Sequence, residues 1–164
     1  MNGRIKVHYL YHSGYAVQLD NRLLVFDYYL DKPEGEVRSL NTGVIEPEEI
    51  KDFDTLVFSS HRHQDHFNPV ILSWRENIPR IKYILSWDIP RKYHPGNTVM
   101  KPGMRAFPDE GVNVFALKST DEGVAFLVEV NGVVIYHAGD LNWWHWDGEP
   151  KAWNNDMAAR FKRE

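Results

Sequence analysis

Four side chains able to bind a metal fall within six consecutive positions, His61-Arg62-His63-Gln64-Asp65-His66. They follow an apolar run of β type, Leu56-Val57-Phe58, that ends in two small polar residues, Ser59 and Ser60. Alternate residues of an extended chain point the same way, so His61 and His63 can converge on one ion. Asp65 and His66 come just past the point where the chain must turn, and can address a second position beside the first. Imidazole and carboxylate together suit zinc, and also iron or manganese. The chain has eight His in 164 residues, a modest excess, and three of them stand here. A polar loop with coincidental histidines is the plain alternative. Three His and one Asp behind a buried-type strand outweigh it.

His-x-His-x-Asp-His after an apolar strand resembles the metallo-β-lactamase-fold hydrolases. Two further stretches carry the resemblance. Residues 12–27, from His12-Ser13-Gly14 to Val25-Phe26-Asp27, are similar to that family's first hairpin, which ends in an Asp beneath the metal loop. Residues 123–140, from Gly123 to Ala138-Gly139-Asp140, are similar to its later hairpin, which ends in a bridging Asp. The likeness runs from about Val7 to Asp140 and is nearest to the short, cytoplasmic metal-dependent hydrolases, not to the secreted antibiotic-destroying enzymes. It implies an α/β fold, a four-layer αββα sandwich of two mixed sheets with helices outside. It also implies His61 and His63 on one metal, Asp65 and His66 on a second, and Asp140 bridging them. Asp65 and Asp140 are then the catalytic carboxylates, Asp65 also orienting the attacking water. Asp27 supports the metal loop from behind.

The totals suit this. The length allows one domain, residues 1–164, with a real core. A content of 43% hydrophobic and 26% charged residues is that of a soluble globular protein. With no Cys there is neither a disulfide framework nor a thiolate metal site. No apolar span is long enough for a membrane, and the start Met1-Asn2-Gly3-Arg4-Ile5-Lys6 lacks a signal-peptide core. A cytoplasmic protein is expected. A net charge of −4 gives no general attraction to nucleic acid.

The elements that must position the cluster can be read from alternation. Ile5, Val7 and Tyr9 open the chain as a strand, Tyr15, Val17 and Leu19 form a second, and Asp20-Asn21 turns into Leu23-Leu24-Val25-Phe26. Residues 28–46 read as irregular. Pro47-Glu48-Glu49-Ile50 reads as a short helix with acids in its first turn. Asn68-Pro69 caps and starts a helix to about Arg75, whose dipole can help hold Asp65. Strands are predicted at 81–86, 98–101, 112–117, 124–130 and 133–137, the last two joined by Asn131-Gly132, a strong hairpin signal. Residues 88–111 otherwise read as loops and turns, with Lys101 to Arg105 as one turn. Residues 149–164 read as a helix with Trp153, Met157 and Phe161 on one stripe. His94 reads as a solvated loop residue and His145 as structural.

Two departures from the family pattern stand out. The loop before the later hairpin, Ser119-Thr120-Asp121-Glu122-Gly123, has no His where the family supplies a third ligand to the first metal. Asp121 or Glu122 can substitute, although an acid beside Gly in a loop is more often solvated. The family's final His comes from a strand near its C terminus, and after Asp140 this sequence offers only His145. A truncated sandwich, incomplete on its C-terminal side, is the economical reading, and its uncovered edge is expected to promote self-association. The expected function is a metal-dependent hydrolase, with one or two ions, acting on a small ester, lactone, amide or phosphodiester. A catalytically impaired metal-binding or scaffold domain is the second reading. A nuclease is the third, and the charge disfavours it.

Overall fold

A computed structural model describes residues 5–164. Residues 1–4, part of the start read above as lacking a signal-peptide core, lie outside it. Ten strands form two sheets. The first holds six in sequence order: β1 (Ile5–Tyr9), β2 (Tyr15–Leu19), β3 (Arg22–Phe26), β4 (Asp54–Ser59), β5 (Lys82–Ser86) and β6 (Thr98–Met100). Its first three strands pair antiparallel and its last four pair parallel. The second sheet has the order β10 (Val133–His137), β9 (Val124–Val130), β8 (Val112–Lys118) and β7 (Arg105–Asp109). Every pairing in it is antiparallel, so only one of the two sheets is mixed, not both as expected. The reason is connection length: β7 to β10 are joined by short turns, which allow only antiparallel neighbours.

The parallel strands need crossovers, and these supply the helical layer over the first sheet. The connection from β3 to β4 contains α1 (Pro47–Ile50). The next contains Pro69–Glu76, capped by Asn68, whose side chain accepts from the Val70 N–H. The latter is the helix its cap announced, wound as a 3₁₀ helix. Ile71 and Trp74 face inward from it, and Tyr28 packs edge-on against Trp74 with centroids 4.9 Å apart. Tyr28 is thus core, while its neighbour Tyr29 lines a cavity. The C-terminal helix α2 (Lys151–Phe161) buries Met157 and Asn154. Asn154 exchanges two hydrogen bonds with the Trp146 backbone, which ties the aromatic run to the helix.

Between the sheets lies a second apolar cluster, where Phe26 stacks on Phe58 at 4.7 Å and Phe58 meets Phe126 edge-on at 5.4 Å. β7 was not foreseen. Met104-Arg105-Ala106-Phe107 alternates weakly, Pro108 interrupts it, and the pairing slips between Ala106 and Asp109. Pro in an edge strand is tolerated where its missing N–H faces away from the ladder. Among the described residues no helix is long and apolar enough to cross a membrane.

The sheets meet most closely at the end of β4, through two glycines with positive φ. Gly123 (φ +69°) lies against Ser60 and His61, and the Val124 N–H donates to the Ser60 carbonyl over 2.9 Å. Gly139 (φ +51°) would set a Cβ 2.6 Å from Ser60 Oγ. A side chain at 123 would collide with the Ser60 backbone, which cannot yield as a flexible side chain can. Gly123→Ala should therefore destabilise the fold by more than about 2 kcal/mol, strained φ and clash together. Denaturant unfolding at equilibrium measures it, and a change below about 0.5 kcal/mol would show that the approach is not needed.

Candidate metal centre

The candidate ligands sit where β4 gives out into a turn. The His66 and Phe67 N–H groups both donate to the His63 carbonyl and fold the cluster back on itself. Asp27, at the end of the neighbouring β3, stands directly beneath. It is fully buried and left-handed (φ +47°). Its Oδ1 accepts from the Ser60 N–H at 2.7 Å, and its Oδ2 accepts from Ser60 Oγ at 2.7 Å, His66 Nδ1 at 2.8 Å and His137 Nε2 at 2.7 Å. Burial alone would raise its pKa, but the facing imidazoles of His137 and His66 hold the carboxyl well below the usual range. It stays ionised.

These bonds decide which ring nitrogens face the site. His66 spends Nδ1 on Asp27, with Ser13 Oγ 3.0 Å from the same nitrogen. Its Nε2 is buried, makes no hydrogen bond, and lies 3.3 Å from Asp140 Oδ1. His61 has Nδ1 3.0 Å from Ser60 Oγ. That hydroxyl gives its only proton to Asp27, so it can accept from His61 Nδ1 and leave Nε2 free. His61 Nε2 lies 3.1 Å from His63 Nδ1 and 3.8 Å from Asp140 Oδ2. Asp140 thus presents one oxygen to His61 and the other to His66.

Among the described residues, two sets of side chains offer ligand atoms within 4.8 Å of one another: His61, His63, Asp121 and Asp140; and His12, Asp65 and His66. Asp121 Oδ2 is 3.5 Å from His63 Nδ1. Glu122 Oε2 lies 3.6 Å from His63 Nε2, but its carboxylate is engaged by Arg62 Nε at 2.6 Å and Nη2 at 2.7 Å. Asp65 is directed toward His12, with Oδ2 3.3 Å from His12 Nε2. Electrostatics favours a cation here. Burial opposes a charge on His66, yet Asp140 and Asp27 outweigh it and hold the imidazolium up to about 10. Burial and the neighbouring His66 push His61 down. The facing His66 imidazole draws Asp140 below the ordinary carboxylate range against partial burial. Two free imidazole nitrogens and a doubly facing carboxylate, steadied from behind by a buried Asp, form a donor set that fits a divalent metal.

Sequence reasoning overlooked two histidines. His137 closes β10 and pairs with Asp27, a contact visible only once the two hairpins are docked. His12 was read only as the start of a hairpin; its position before the Ser13-Gly14 turn hinted at exposure, not at proximity to Asp65. His94 bonds to the Ile89 carbonyl at 2.7 Å and His145 is an exposed neighbour of Asp147, so neither enters the site. Because Asp27 satisfies four donors at once, Asp27→Asn should cost about 3 kcal/mol or more and weaken metal binding by about 10- to 100-fold. Thermal unfolding beside metal titration checks both, and wild-type behaviour in each would remove Asp27 from its supporting role.

Comparison with known proteins agrees with the geometry. Residues 6–145 match the beta-lactamase superfamily domain. A UPF0173 metal-dependent hydrolase of Pyrococcus horikoshii is 27% identical over 150 residues, covering 83% of this chain and 61% of its own. One from Thermococcus kodakarensis is 26% identical over 150 residues, with the same shares. The chain therefore spans about three fifths of the length of these relatives. Among solved structures, the metallo hydrolase Igni18 from Ignicoccus hospitalis superposes with a TM-score of 0.58 at 21% identity, covering 82% of this chain and 60% of that one. The diiron β-hydroxylase CmlA from Streptomyces venezuelae superposes with a TM-score of 0.58 at 15% identity, covering 88% and 31%. With the match spanning most of its length and the sandwich of that fold carrying the histidine loop at a strand end, the chain belongs to the beta-lactamase superfamily.

Proposed function

We propose that this chain is the metal-binding part of a metal-dependent hydrolase. It acts on a small ester, lactone, amide or phosphodiester, with zinc as the resident ion. The observation that carries the reading is the placement of Asp140 between His61 Nε2, at 3.8 Å, and the buried Nε2 of His66, at 3.3 Å. His61, His63, Asp121 and Asp140 would hold one ion, and Asp65 and His66, sharing Asp140, would hold a second. When bound, zinc supplies a water whose pKa falls toward neutrality and a Lewis acid for the scissile oxygen. Iron or manganese suits the same donors, and the metal-dependent relatives and a diiron neighbour support metal chemistry in general.

The protein groups divide the remaining work. Asp140 stays ionised and presents both oxygens inward. Asp65, half exposed at the site's mouth, orients water and receives its proton. A cavity of about 680 Å³ opens beside it, lined by Tyr29, Gln64, Asp65, Phe67, Asn68 and Pro69. Its volume suits a small molecule. Its ring-bearing walls suit an apolar part of the substrate, held next to the carboxylate.

The flank opposite the β6–β7 junction leaves β1 overhanging. Val7 and Tyr9, on the face shared with buried Val17, are 62% and 55% exposed. β10 forms the second sheet's edge on that flank and carries no charged residue to discourage pairing. Both features support self-association of this chain. Light scattering should give a mass above that of the monomer, and a monomer at high concentration would refute it.

Elemental analysis of the purified chain should find bound zinc, iron or manganese, and the double variant His61→Ala, His63→Ala should lose at least one equivalent. Turnover of generic ester and phosphodiester substrates should disappear with it. Unchanged metal content in the variant would overturn the proposal.

A further inference from the structure

We propose that His12 is a ligand of the second cation, which makes the set His12, Asp65 and His66, with Asp140 shared. The inference deepens the two-ion reading above and rests on it. Nothing in the His61–His66 segment points to His12, which lies 54 residues before His66 and on a different strand connection.

The geometry is specific. His12 Nε2 is 3.3 Å from Asp65 Oδ2, and its ring meets that of His66 edge-on with centroids 5.0 Å apart. One donor atom from each of His12, Asp65 and His66 falls within 4.8 Å of the others, a spread that a single ion can span. The independent observation is on His66. Its side chain is 1% exposed, its Nδ1 is committed to Asp27, and its Nε2 is buried without a hydrogen bond. Asp140 Oδ1 stands 3.3 Å from that nitrogen without hydrogen-bond geometry, so the buried Nε2 is incompletely satisfied.

An ordinary surface ion pair between His12 and Asp65 would not need the backbone that carries it. Tyr11 and His12 are consecutive left-handed residues (φ +67° and +52°), a conformation uncommon outside Gly. The turn is fastened at both ends. The Leu10 N–H donates to the Gly14 carbonyl at 2.9 Å, and the Gly14 N–H donates to the Tyr11 carbonyl at 2.8 Å. Gly14 packs on the Asp27 carbonyl so closely that a Cβ would stand 2.9 Å from it. Ser13 Oγ reaches 3.0 Å from His66 Nδ1. The turn is thus built onto the backbone of the residue whose carboxylate orients His66, and it brings the neighbouring imidazole of His12 edge-on to that same ring. His12 and Asp65 are each about half exposed, which leaves the second ion open to water and substrate on the side of the Tyr29 cavity.

Cobalt(II) is a suitable probe, since its visible absorption reports coordination without requiring turnover. Titration of the wild-type chain, with bound metal counted by elemental analysis, should show two equivalents. His12→Asn keeps a residue that tolerates left-handed backbone but removes the imidazole. It should retain the first equivalent and lose the second, or bind it at least about 10-fold more weakly. His12→Asp, which restores an ionised ligand atom, should recover part of the second equivalent. Asp65→Asn should show the same selective loss and keeps the proposal testable if the His12 variants fail to fold by circular dichroism. Two equivalents in His12→Asn with wild-type affinity and spectrum would overturn the role of His12 and leave the hydrolase reading standing. A single equivalent in the wild type would overturn it too, again without touching the first site. No bound metal in the wild type would remove both readings.

Discussion

A single buried carboxylate organises this molecule. Asp27 has no solvent to stabilise its charge, so its environment must supply every donor it needs. Four donors converge on it: the backbone and hydroxyl of Ser60, His66 and His137. They come from the end of β4, from the turn beyond it and from the far end of β10. Meeting that demand pins the histidine loop to the first sheet and the second hairpin to both. The same bonds orient the imidazoles, directly for His66 and through Ser60 for His61. A structural debt and a chemical requirement are met by one set of contacts.

The sandwich provides the second constraint. Asp140 can stand between His61 and His66 only if the β9–β10 hairpin comes down tightly on the end of β4. Gly123 and Gly139 allow this, because both face Ser60 at distances that leave no room for a side chain. Phe26, Phe58 and Phe126 hold the sheets at fixed spacing just below. The site is therefore rigid on its buried side, and the exposed side chains of His12, His63 and Asp65 border solvent. Such an arrangement suits chemistry on molecules arriving from water, with the supporting network shielded beneath.

Much of the fold could be read in advance because its strands alternate strongly and end in strong turn signals. Asn131-Gly132 and Asp20-Asn21 announce their hairpins, and residues 124–130 and 133–137 came out as the structure has them. β7 was missed because Pro108 and a slipped register mask its period. The helix at Pro69–Glu76 was legible because Asn68 and Pro69 announce a helix start, although they do not specify the 3₁₀ hydrogen-bond spacing that follows. The second sheet was expected to be mixed, since nothing local distinguishes an antiparallel meander from strands that return by crossovers.

The amino-acid sequence alone determined where the candidate ligands concentrate. Six residues concentrate imidazole and carboxylate behind an apolar strand, and spacing along an extended chain is enough to make neighbouring ligands converge. Contacts between distant segments belong to the tertiary structure. It brought Asp121 beside His63, turned Asp65 toward His12, and joined His137 to Asp27 across 110 residues of chain. No local pattern encodes these, because each depends on how two sheets twist and dock, and that is set by the summed packing of the core between them.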